Sequence, residues 1–190
     1  MKPELEKILV EKYPKIFPDY GKSPQESALS WGLEVGDGWF NLIDHVCESL
    51  SHLYTSGLSL GDQRYVPLDA PTVIATQIKE KFGGLRFYYR LELPDKVKEL
   101  EKQAETDAKL KEAIDAWSRD YIQFVDGIIY MAETISMRTC ERTGLKGELH
   151  RTPGGWYKVL NKDYAILNPE LVQHGYRPYS EYKQNENNNN

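Results

Sequence analysis

The stretch TVIATQIKEKFGGLRFYYRLEL, residues 72–93, constrains this chain more than any other. Leu85, Phe87, Tyr89, Leu91 and Leu93 alternate strictly with Arg86, Tyr88, Arg90 and Glu92, the period of a strand with one buried and one wet face. Gly83-Gly84 offers two adjacent residues that tolerate positive φ, so the pattern predicts a β-hairpin closed by that two-residue loop. The register that follows sets Phe82 against Leu85, Lys81 against Arg86, Lys79 against Tyr88 and Gln77 against Arg90.

A hairpin with one apolar side needs a cover, and two helical patterns supply it. Ahead of GWFNLIDHVCESLSHLY, Asp37 stands where an N-cap belongs, and Phe40, Ile43, Val46, Cys47, Leu50, Leu53 and Tyr54 share one broad face. From Pro94 to about Met137 a single helix would run on the order of 60 Å at 1.5 Å per residue. Thr106-Asp107 provides a break with a capping residue. Beyond it, Leu110, Ile114, Trp117, Tyr121, Phe124, Ile128, Met131 and Ile135 recur at three- and four-residue steps and are expected to face the core. A short amphipathic helix over residues 4–13 ends at Pro14. The fold class expected is α+β: an antiparallel hairpin, extended by a third strand from 145–160, packed against helices 38–55 and 108–137. The expected division is a core domain over 1–137, a small irregular module over 138–166 closed around Trp156 and Tyr157, and a tail over 167–190. KQNENNNN marks that tail as disordered from about 183.

Among 190 residues no apolar run approaches the roughly 20 needed to span a membrane, so no membrane partner is expected. Two cysteines, Cys47 and Cys140, cannot build a disulfide framework, and the natural setting is a reducing cytoplasm. A net charge of −5 argues against wholesale coating of nucleic acid while leaving room for a local basic face.

Three features carry candidate chemistry. The hairpin's polar face gathers Lys79, Lys81, Arg86, Tyr88 and Arg90 beside Gly83 and Gly84, whose backbone N–H groups can approach a phosphate closely. This set suits a nucleotide or a single nucleic-acid strand; lysines that keep an edge strand from pairing explain it equally well. In VGDGWF, Asp37 and Trp39 form either a catalytic loop, at which the following helix N-terminus favours an anionic ligand, or a helix cap with a core tryptophan. His45, Glu48 and His52 lie on one side of their helix, as a solvated face also requires. No Walker loop, nucleophile elbow or metalloprotease helix occurs, which speaks against an enzyme. A thiol enzyme built on Cys140 and His150 needs the fold to bring those two together.

In RTCERTGLKGELHRTPGGWYKVLNKDYA, Cys140 and Thr143 keep the spacing of one zinc-knuckle pair and Asn161 and Tyr164 that of the other, with one thiolate among the four. With IKEKFGGLRFYY and GLEVGDGWFNLI, this module resembles a group of small uncharacterised phage and prophage proteins over about residues 30–165. The resemblance implies that those four positions are mostly cysteines binding zinc in relatives; here neither metal nor any other cofactor is expected. It implies a phage-encoded, non-catalytic binding or inhibitor protein acting in the host cytoplasm. Its target would be a host protein, a defence component among the candidates, or a small anionic ligand such as a nucleotide signal, with Trp39 and Trp156 as further contact candidates. The alternative is a nucleic-acid-binding accessory protein using the basic hairpin face, and a homo-oligomer fits either reading.

Overall fold

A computed structural model describes residues 1–55, 57–59 and 65–188, with side chains described through residue 183. It has the expected α+β class. Helix α1 (Pro3–Lys12) starts on a proline and stops before Pro14; its Leu9 is fully buried. A loop-rich stretch leads to α2 (Phe40–Ser51), which buries Ile43, Val46, Cys47 and Leu50. The short strands β1 (Leu58–Ser59) and β2 (Tyr65–Val66) pair with each other. The hairpin follows as β3 (Thr72–Lys81) and β4 (Gly84–Glu92).

The hairpin's register differs from the expected one. Lys81 faces Gly84, Lys79 faces Arg86 and Gln77 faces Tyr88; beyond a bulge between Ala75 and Gln77, Ile74 faces Arg90. The reversal is therefore made by Phe82 and Gly83, both at positive φ (55° and 82°), and not by the two glycines. Gly84 is a buried strand residue instead, because the end of a later helix brings the Met137 sulfur against it and leaves no room for a Cβ.

The outer edge of β3 is not left open. Ile16 accepts a hydrogen bond from Ala75 (2.8 Å), and Glu34 bridges Ile78 and Glu80 (both 3.0 Å). The 13–36 loop thus occupies backbone groups that would otherwise invite another strand.

Helices α3 (Asp95–Ala104) and α4 (Ala108–Ser136) break where expected, and the Asp107 carboxylate caps α4 by accepting from Lys109 and Leu110 (3.1 Å each). The buried face of α4 corrects the sequence stripe. It runs Leu110, Ile114, Trp117, Tyr121 and then Val125, Ile129, Ala132 and Ser136. Phe124, Met131 and Ile135 point outward, at 65, 64 and 45 % exposed. A helix turns 3.6 residues, so a run of three- and four-residue steps has two neighbouring continuations after Tyr121, and tertiary packing selects the other.

One core joins α2, the hairpin's apolar side and the second half of α4; a second joins β1, α3 and the first half of α4. The region after 138 is a third unit. Strands β5 (Glu148–Arg151) and β6 (Tyr157–Leu160) form their own sheet with β7 (Arg177–Pro178), in the order β6-β5-β7, so no third strand extends the hairpin. Helices α5 (Lys162–Leu167) and α6 (Pro169–Gln173) complete it. Its interior is Cys140, Leu160, Ala165 and Leu171. Trp156 lies outside that interior at 74 % exposed, and residues 167–178 belong to the module rather than to a tail. Helix α7 (Tyr179–Asn188) covers most of the stretch expected to be disordered, and residues 189–190 lie outside the description. No helix among the described residues is long and apolar enough to cross a membrane.

Candidate binding cleft at the hairpin tip

The expected basic face assembles only in part. Lys79 lies over the Tyr88 ring at 5.4 Å, so these two share an outward surface. Arg90, however, pairs with Asp19 (3.1 Å), whose carboxyl is held below its usual range first by the bond from Lys22 (2.5 Å) and then by Arg90 itself. Arg86 turns toward α4 and pairs with Glu133 (3.5 Å). Glu34 accepts from Gln77 (3.0 Å) on the same side. The field is thus a mixed one, with carboxylates spread among the cations. The glycine loop offers no phosphate nest either: the N–H of Gly83 is taken by the Glu80 carboxylate at 2.5 Å, and Gly84 is buried.

VGDGW proves structural. Trp39 is fully buried and donates from its indole nitrogen to the Thr139 carbonyl (2.9 Å), which removes it from the ligand candidates. Asp37 does not cap α2; it accepts from the Lys2 backbone (2.8 Å) and pairs with the Lys2 ammonium (3.2 Å), while the α-helix begins at Phe40. Gly38 donates to Glu141 (2.9 Å), and a methyl built on it would collide with the carbonyl of Cys140 and the amides of Thr143 and Gly144. The glycines let the 139–144 turn press backbone to backbone against the start of α2.

In that turn the knuckle positions are tied by hydrogen bonds. Thr143 accepts from Leu145 (3.3 Å), while Asn161 caps α5 through Tyr164 N–H (3.2 Å) and donates to the Lys146 carbonyl (3.0 Å), linking the two halves. Among the described residues no three His, Cys, Asp or Glu side chains gather as a metal site. Of the helical trio, His45 stands 4.0 Å from Glu48, both well exposed, and His52 turns to the Glu48 backbone carbonyl. Cys140 is fully buried and His150 is 2 % exposed with its ring bound to the Glu148 carbonyl (2.9 Å), so neither presents a reactive group to solvent.

The structure brings together other residues. The hairpin tip rests on the C-terminal sheet, where a Cβ on Gly83 would strike Leu149. Beside this contact the Phe82-Gly83 turn faces the turn between β5 and β6, in which Thr152 accepts from Trp156 (3.1 Å). Between the turns is a cleft of about 370 Å³ lined by Glu80, Lys81, Phe82, Trp156, Tyr157 and the Gly154-Gly155 backbone. Phe82 and Trp156 are 67 and 74 % exposed, and the Lys81 ammonium lies 5.5 Å from the Phe82 ring.

The cleft is aromatic, with one carboxyl, Glu80, and one ammonium, Lys81, in its lining. Burial pushes the Glu80 carboxyl up; the Gly83 N–H and nearby Lys158 pull against that, and nearby Glu141 adds to it. Lys158 is itself committed to Glu141 (3.0 Å), with both side chains largely buried. A roomier groove of about 530 Å³ between the end of α2 and α4 is mainly apolar, with Trp117 and Phe124 in its wall. Its lining includes Thr55, Gly57, Leu58 and Ser59, and the cleft between the two turns is the candidate pursued here.

Of the residues lining the cleft, Lys81 and Trp156 are among the sequence candidates; Phe82 is not, because a large aromatic is an improbable occupant of a left-handed turn. Comparison with protein-family models, with curated proteins and with solved structures found no match.

Proposed function

We propose that this chain is a non-catalytic binding protein that grips a partner protein in the cleft between the Phe82-Gly83 and Gly154–Trp156 turns. One observation carries the reading: Phe82 holds a left-handed backbone (φ 55°) while its ring stands 67 % exposed beside an equally exposed Trp156. A non-glycine residue pays for such a conformation, and the strain accumulates where a surface is shaped for contact. Exposed, clustered aromatics backed by a rigid turn are the composition of an interface hot spot. With one carboxyl (Glu80) and one ammonium (Lys81) in its lining, the cleft has no charge preference, and its two exposed rings set the kind of contact it makes.

The likeness of the hairpin, the GDGW loop and the C-terminal module to small phage proteins supports the rest of the proposal: a phage-encoded accessory protein that inhibits a bacterial host component in the cytoplasm. Nucleic-acid binding by the hairpin face is the second reading. It is weakened by Asp19 and Glu133 on Arg90 and Arg86.

The test is co-purification from bacterial cells with the tagged wild type, Phe82→Asn, Trp156→Ala and a Lys79→Ala/Arg90→Ala variant, at low and high salt. The proposal expects one defined protein, kept at high salt and by the face variant, and lost from both cleft variants. Nucleic acid in the bound fraction, released steeply by salt and by the face variant alone, would establish the second reading instead.

A further inference from the structure

The C-terminal sheet sets two arginines side by side with no acid between them. In the order β6-β5-β7, Arg151 of the central strand faces Tyr157 on one side and Arg177 on the other. Residues directly opposite in an antiparallel pair point to the same face, so these three side chains stand in one row. Helix α7 reaches the same row. The Arg151 guanidinium lies 5.7 Å from the Tyr157 ring and 5.3 Å from the Tyr182 ring. Tyr179 meets Tyr157 edge-on at 5.8 Å, with the Lys183 ammonium 5.4 Å from its own ring.

Among the described residues none of these three cations has a carboxylate partner. Arg86 and Arg90, by contrast, are paired with Glu133 and Asp19. The buried Nε of Arg151 has no hydrogen-bond partner, so its guanidinium is held by packing against rings and not by an acceptor of this chain. Like charges directly across a ladder are destabilising, and an anion bound to both relieves that repulsion.

We propose that this row is a binding site for the phosphate group of a small phosphorylated molecule, held by the guanidinium groups of Arg151 and Arg177. A guanidinium presents a fork of donors that one carboxylate satisfies. A phosphate monoester has three free oxygens and close to two charges, enough for two forks. The rings fix Arg151 before the ligand arrives, which lowers the cost of binding, and the exposed Arg177 supplies the accessible half. The cations gather at one point and not along a track, and a net charge of −5 repels a polyanion, so a single phosphate is favoured over a nucleic-acid strand. The site shares Tyr157 with the cleft but uses none of the residues whose loss tests partner capture.

Titration calorimetry of the full chain with inorganic phosphate, at constant ionic strength, tests it. Saturable binding at about 1 mM or tighter is expected, weakened by about tenfold or more in Arg177→Ala and in Arg151→Lys, which keeps the charge and loses the fork. Without phosphate, Arg177→Ala should melt no lower than wild type, because it removes a like-charge neighbour. With phosphate, the Tm of wild type should rise and that of the variant should not. Absence of saturable binding overturns the proposal, as does binding that Arg177→Ala leaves intact. Succinate bound as tightly as phosphate overturns the phosphate assignment, and a single-stranded oligonucleotide bound through Arg177 when inorganic phosphate is not overturns the small-molecule one.

Discussion

Phe82→Asn separates a contact residue from a structural one. The left-handed backbone costs a non-glycine L-residue roughly 1–2 kcal/mol, and Asn-Gly is the preferred pair for a two-residue turn with positive φ at both positions. Phe82 (φ 55°) and Gly83 (φ 82°) make that turn. Against the relief stands the lost ring. Fully burying a Phe contributes about 1.5–3 kcal/mol, and a ring 67 % exposed retains about a third of that, 0.5–1 kcal/mol. The exposed Lys81 contact adds about 0.5 kcal/mol. The terms nearly cancel, leaving a net change between about 0.5 kcal/mol destabilising and 1 kcal/mol stabilising. At roughly 2–4 °C per kcal/mol for a chain of this size, thermal unfolding should move by no more than a few degrees. Partner capture should be lost. A fall in Tm of more than about 5 °C would show that the ring holds the fold together, in the manner of a core Phe replaced at a cost of 3–5 kcal/mol. Unchanged Tm with unchanged capture would remove Phe82 from the interface.

Three further outcomes can be measured on the same unfolding curves. Gly38→Ala forces a methyl into the 140–144 turn and should destabilise by about 1–3 kcal/mol; a Tm equal to wild type would mean that this turn moves freely. Ser136→Ala leaves the Leu85 N–H, now 2.9 Å from the buried hydroxyl, without a partner, for a loss of about 1–3 kcal/mol, and Ser136→Thr should not rescue it if packing there is tight. Acid should destabilise through three carboxylates. Asp19 is held low chiefly by Lys22; at Asp37 and Asp44 burial works upward but is outweighed by bonds from Lys2, and from Lys12 and Tyr13. Since their folded values lie below the unfolded ones, their contribution is present above about pH 4 and is lost as pH falls through the folded values. Tm unchanged between pH 5 and 3 would contradict those pairings.

The hairpin, the break at Thr106-Asp107 and the α+β class were legible because each rests on local chemistry: alternation, a capping carboxylate, periodicity. The errors share a different origin. Asp37 has the letters of an N-cap, but the chain start at Lys2 captures its carboxylate and the glycines on either side serve a turn a hundred residues away. The stripe on α4 has the letters of a core face, yet Val125, Ile129 and Ala132 are buried in its place. Arg86 and Arg90 have the letters of an anion site, and Glu133 and Asp19 arrive from distant segments to pair with them. In each case contacts from distant segments, which local pattern does not register, decided where the group went.

The turn register was missed for a reason that bears on function. Given FGG, local preference assigns the reversal to the two glycines, since either accepts positive φ without strain. The chain instead spends Gly84 on contact with Met137 and puts Phe82 into the left-handed position. Shifting the reversal by one residue lifts an aromatic ring to the tip, opposite Trp156, where a glycine would present nothing. Backbone preference at that position favours Asn or Gly, so the departure from local preference and the candidate contact surface coincide at the same residue.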